Sequence, residues 1–85
     1  MTAPEPEVML RRLTVDEALA KLDQFLYDAF TAGLYTVRVV HGKGTGTLRT
    51  SVRRELARHT LVESFRPANS WEGGAGVTVV QLSKK

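Results

Sequence analysis

The chain has 85 residues, 42% hydrophobic and 25% charged, with no cysteine. That composition describes one folded domain, and it excludes wholesale disorder, a disulfide framework, thiolate nucleophiles and cysteine–zinc sites. The net charge of +3 conceals a polarity: residues 1–35 carry three Lys/Arg against six Asp/Glu, and residues 36–66 carry seven against two, which points a basic region at an anionic partner without the overall charge of a packaging protein.

Residues 1–6 are acidic and Pro-containing. They read as a flexible tail or the end of a linker, with the domain over 7–85. They are the opposite of a signal peptide, and no apolar run is long enough to span a membrane, so a cytoplasmic location is expected. Val8-Met9-Leu10 before Arg11-Arg12 predicts a first strand. Two residues apart on that strand, Met9 and Arg11 are expected to share a face.

Thr14 with Glu17 has the form of a capping box. Behind it Val15, Ala18, Leu19, Leu22, Phe25, Leu26, Ala29 and Phe30 keep helical spacing without a break, which predicts a helix over about 15–32, stopped by Gly33. Tyr35 to Val40 is β-rich and reads as a central strand. A second helix follows over about 47–58, with Leu48, Val52 and Leu56 on one side, ended by His59-Thr60. Leu61 to Arg66 is a third strand, broken by Pro67. Residues 67–76 form a loop and Val77 to Leu82 a fourth strand. The order β-α-β-α-β-β with two right-handed crossovers predicts an α/β two-layer sandwich with parallel strand pairs, both helices on one face and the other face partly exposed.

Between the central strand and the second helix lies His41-Gly42-Lys43-Gly44-Thr45-Gly46. Glycines let backbone N–H groups turn toward a ligand, the helix N-terminus adds partial positive charge and Lys43 a full one; together they favour a phosphate. Two nucleotide-binding patterns fail here. A Walker A loop needs Gly where Val37 stands, and a dinucleotide fingerprint needs Gly where Thr47 stands. A glycine-rich turn with an incidental lysine fits the same residues.

His41 could titrate near neutral pH beside Lys43 and serve proton transfer, or could simply hydrogen-bond at a strand end. His59, at a helix C-terminus, reads as structural. Arg49 and Arg53 lie in the first turns of the second helix and are the candidates for phosphate contacts, while Arg54 and Arg58 read as a solvated face. Trp71 either stacks on a base or caps the open sheet face. Between Asp28 and Glu55 the chain has no acidic residue. No cofactor is required by the sequence; a single divalent metal stays open as an alternative, without a convincing ligand set.

The stretch from Leu13 to Pro67, with HGKGTG at His41–Gly46 and Leu48-Arg49 behind it, and GGAGVTVVQL at 73–82, resembles the Smr (small MutS-related) domain family. Within that family the arrangement is most similar to the C-terminal domain of the second bacterial MutS paralogue. The resemblance implies a fold similar to the C-terminal domain of bacterial initiation factor three. It implies nucleic-acid binding, with DNA nicking in many members, and a parent protein linked to suppression of recombination and to collided ribosomes. The partner is then DNA, branched or duplex, or alternatively RNA or the ribosome. The isolated domain is expected to be a monomer and the parent protein a dimer.

A second family pattern, Leu-Asp-Leu-His/Arg-Gly, aligns with Val8-Met9-Leu10-Arg11-Arg12. Arg11 keeps the basic position, Met9 stands in place of the acid and Arg12 in place of the glycine. By this resemblance His41 would move a proton while Lys43 and Arg11 stabilise charge at the phosphorus. Gly42, Lys43, Gly44, Thr45, Gly46, Arg49, Arg53, Arg12 and Trp71 would contact the nucleic acid. Loss of the carboxylate at Met9 bears on cleavage more than on binding.

Overall fold

The computed structural model describes residues 6–44 and 46–84. Four strands form one mixed sheet: β1 (Glu7–Met9), β2 (Thr36–Val40), β3 (Val62–Pro67) and β4 (Val77–Leu82). Helix α1 (Val15–Thr31) joins β1 to β2, and α2 (Thr47–Arg58) joins β2 to β3. The loop expected over 67–76 contains two single 3-10 turns, Ser70–Glu72 and Gly74–Gly76. Pro67 closes β3 rather than breaking it. β3 is an edge strand, where a missing N–H costs nothing.

The spatial order is β1-β2-β4-β3. Among neighbouring strands only β1 and β2 run parallel; β4 lies antiparallel to both β2 and β3. The expectation of parallel pairs is therefore corrected at the second crossover. That crossover passes over one strand position, and β4 returns into the gap. Local sequence specifies each strand; which strands become neighbours depends on how the whole sheet covers its helices.

Strand alternation sorts the side chains. Val8, Val37, Val39, Val80 and Leu82 are buried on the helix side, against Ala18, Leu22, Leu26 and Ala29 of α1 and Val52 and Leu56 of α2. A fully buried leucine contributes about 2 kcal/mol of transfer free energy, so this one layer carries the fold. Helix α1 opens on the full capping box, with the Glu17 N–H donating to the Thr14 hydroxyl and the Thr14 N–H donating to the Glu17 carboxylate. It ends in a Schellman motif: Gly33, at φ 80°, donates to Phe30 O and Leu34 donates to Ala29 O.

The other face is less open than expected. Across it runs the row Glu7, Arg38, Val79, Arg66. Val77 and Val79 are buried there. Gly73, at φ 119°, lies so close over Val77 that a Cβ would collide with its Cγ2. The loop before β4 thus folds back on the sheet and covers one end of that face.

Candidate anion-binding site

The site grows out of the C-terminal end of β2. Val37 and Val39 point into the core, and His41 continues the alternation inward, 4% exposed. Its backbone N–H and that of Gly42 both donate to the carbonyl of Gly76, at 3.1 and 3.0 Å. The ring is engaged on both sides. Nδ1 lies 2.9 Å from the Gly42 carbonyl, which can only accept, so Nδ1 carries a proton. Nε2 lies 2.9 Å from the hydroxyl of Thr78, itself fully buried, and in the neutral ring it accepts that hydroxyl's proton. Burial, and then the positive charges of Arg53 and Arg49, hold the His41 pKa below its ordinary value. The ring is therefore neutral at physiological pH. By drawing the Gly42 carbonyl inward it turns the opposite edge of that peptide plane, the Lys43 N–H, outward.

Two glycines shape the rest. Gly42 is at φ 85° and lies under Arg11; a Cβ would fall 2.9 Å from Arg11 Cγ. Arg11 is in a turn beyond the end of β1, so it does not share a strand face with Met9. It crosses the loop instead. Met9 pairs with Val40 on the far face, 42% exposed, while His41 faces the helices. Gly46, at φ 87°, is the N-cap of α2 and leaves that end without a side-chain hydrogen bond. The Arg49 guanidinium lies over it, with Nη2 3.2 Å from where a Cβ would sit. The first turn of α2 holds no acidic residue.

Both helix N-termini border one open groove of about 360 Å³, with Arg12, Lys43 and Arg49 on its walls. Lys43 and Gly44 are exposed, and Arg53 is half-buried. Arg12 adopts φ 70°, a conformation that favours glycine and matches the glycine of the resembled pattern. Thr45 lies outside the described residues. Trp71 is 81% exposed in the first 3-10 turn, so it does not cap the sheet. His59 pairs with Asp23 at 2.7 Å and accepts from the Leu61 N–H, the structural role expected of it. Among the described residues, no three His, Asp or Glu side chains are grouped to hold a metal ion.

Three contributors escaped the reading of the sequence. Thr78 anchors His41; its signal was a polar residue at an inward position of a valine-rich strand. Glu72 takes a two-pronged contact from Arg66, at 2.8 and 2.9 Å, and a third from the Asn69 N–H. Those bonds hold its carboxyl at about 2. Arg38 donates to the Glu72 carbonyl and to Glu7, fastening the same loop to the sheet. No local pattern marked these long-range pairs.

A sequence model of the Smr domain matches residues 9–83. The chain is 58% identical over 78 residues to the protein named endonuclease MutS2 of Thermomicrobium roseum, a match covering 92% of this chain and 10% of that protein. The chain thus spans about a tenth of the length of the curated relatives it matches. The crystal structure of the Smr domain of Thermus thermophilus MutS2 superposes with a TM-score of 0.89 at 55% identity, covering 92% of this chain and 98% of that one. YdaL, a stand-alone small MutS-related protein from Escherichia coli, superposes with a TM-score of 0.84 at 30% identity, covering 92% and 64%.

Proposed function

The chain belongs to the Smr domain family, and from that premise we propose that it binds the sugar–phosphate backbone of nucleic acid, seating a phosphate at the N-terminus of α2 under Lys43, Arg11 and Arg49. The observation that carries this reading is a glycine N-cap on α2, which offers no side-chain hydrogen bond, with an arginine folded over it. The N-terminal backbone N–H groups and the macrodipole of a helix attract an anion. The first turn has no acid to repel one. Lys43 adds a movable charge, and Arg12 and Arg53 extend the positive field. In this reading His41 is a positioning residue, holding the loop so that the Lys43 N–H faces the groove.

Lys43→Ala tests the reading. It removes one phosphate contact without touching the core, so the slope of log affinity against log salt falls by roughly 1. Anisotropy titrations of a labelled DNA duplex over a range of salt concentrations read it. An unchanged slope with unchanged affinity removes the loop from the interface.

Nicking of a DNA strand is the second reading. It is favoured by Lys43 and Arg49 lining one groove, two cations placed to take up charge developing on a phosphoryl group, with Arg11 crossing the loop beside them over Gly42. His41 takes no proton from water in the state described, because both ring nitrogens are occupied. Conversion of supercoiled plasmid to open circle by the wild-type chain, absent in Lys43→Ala, supports this reading; equal nicking by both proteins defeats it.

A further inference from the structure

We propose that Trp71 is a stacking platform for an unpaired base, so that the domain grips nucleic acid with exposed base faces more tightly than continuous duplex. The inference rests on the phosphate-binding reading above and names the class of strand that site takes.

The loop of residues 68–76 spans the end of the sheet from which the His41–Gly46 loop also leaves. The two are packed backbone to backbone. Gly76 accepts from His41 and Gly42, and a Cβ on Gly76 would lie 3.3 Å from Gly42 Cα and 3.5 Å from Lys43 Cγ. Trp71 therefore lies at the same end of the sheet as the groove, in the loop that packs against the groove-forming segment through Gly76.

Its exposure is built in. At 81% the indole is more exposed than Tyr27 or Tyr35, the other large aromatics on the surface. An indole on a slack loop would fold onto the sheet to shed water-exposed area. Here the neighbouring residue prevents it. Glu72 is tied by Arg66, by the Asn69 N–H and, through its carbonyl, by Arg38; its own N–H donates to Asn69 O. Gly73 then locks over Val77. The backbone under Trp71 is thus fixed before any ligand arrives, and a side chain with two torsions has little freedom left to lose on binding.

A flat, preorganised aromatic at the same end of the sheet as a phosphate seat matches a strand that carries a nucleotide whose base face is free. In duplex both faces of each internal base are already stacked, so the indole gains a partner only at a single strand, flap, gap or end. Stacking is tolerant of base identity, so the preference is for structure rather than sequence.

Trp71 is the only tryptophan, which makes intrinsic fluorescence report this one site. The 85-residue chain is titrated with an unlabelled mixed-sequence DNA single strand and with the matching blunt duplex, and binding is followed in parallel by anisotropy of labelled strands. The expected result is quenching by the single strand, little by the duplex, and about tenfold weaker single-strand binding for Trp71→Ala with duplex binding unchanged. Trp71→Phe should recover most of the loss, and the melting temperature of both variants should match wild type. Single-strand binding by anisotropy with no fluorescence change, or equal losses on both substrates, overturns the stacking role and leaves the phosphate seat standing. No anisotropy change with either substrate overturns both.

Discussion

The two helices begin at the same end of the sheet, each after a short turn from a strand, with opposite chemistry. Helix α1 starts Thr14-Val15-Asp16-Glu17; its N-cap and third residue exchange hydrogen bonds, and its first turn is acidic. Helix α2 starts Gly46-Thr47-Leu48-Arg49; its N-cap has no side chain, and its third residue is an arginine. An arginine there opposes the macrodipole, so its presence costs stability that a glutamate would supply. One helix end is capped by its own N-cap side chain and an acid; the other has a glycine N-cap and a basic first turn, the chemistry on which the proposed phosphate seat rests. The difference separates structure from function within one fold more sharply than glycine content does.

The contrast can be broken by giving α2 the residue α1 has. Arg49→Glu places an acid at the third position, where it neutralises the helix end and repels phosphate. Affinity for DNA at low salt should fall by about 30-fold, with the fold intact. Anisotropy with a melting curve on the same sample checks both halves. A loss of less than threefold would mean that the open end is not where phosphate sits.

Opening the sealed end should have the converse result. Thr14→Ala removes the cap of α1 and should cost about 1 kcal/mol of stability in urea denaturation, leaving DNA affinity as it was. Arg12→Gly is smaller. It relieves a left-handed conformation at a residue other than glycine, offset in part by the extra freedom of the unfolded chain, and should raise stability by about 0.5 kcal/mol, a Tm increase of about 3 °C. The same change should weaken DNA binding slightly, because a groove-wall charge is lost.

The two ends should also respond to acid in different windows. His41 has a folded pKa below its unfolded value of 6.5, set mainly by burial. The neutral form is the one the fold prefers, so its contribution is present above 6.5 and lost as pH falls through the folded pKa. Glu17 is likewise held below 4.5 by its bonds with Thr14, so its contribution is lost only further down. Between pH 6.5 and 4.5 the decline should come from His41. Urea midpoints measured through this range should fall for wild type and flatten in His41→Gln; an equal decline in both would assign the loss elsewhere.

Much of this was legible in the residues. The bounds of α2 and β4, the capping box and Gly33 follow from local chemistry, because each is decided within a few positions of the chain. That Gly42, Lys43, Gly46 and Arg49 would lie around one groove was legible for the same reason. Strand order was not, since hydrophobic alternation says that a strand is buried and not beside whom. Nor was the direction of His41: its partner Thr78 lies 37 residues away, and a strand-end histidine reads alike whether it faces core or solvent. The fixing of Trp71 depends on Arg66 and Arg38 meeting Glu72, three residues that look like ordinary surface charges in isolation.

The placement of β4 between β2 and β3 sets an order of events in time. The strand that completes the centre of the sheet is made after both of its neighbours. Until it docks, β2 keeps one unpaired edge, and His41 lacks both the carbonyl of Gly76 and the hydroxyl of Thr78. A nascent or partly unfolded chain therefore carries the glycines and the basic residues without the cradle they form. Pairing at such sequence separation is slow compared with helix formation, so α1 and α2 can form while the loop between β2 and α2 is still unshaped. The bonds that fix His41 and Gly42 therefore form only with the closing of the sheet, when Gly76 and Thr78 reach them.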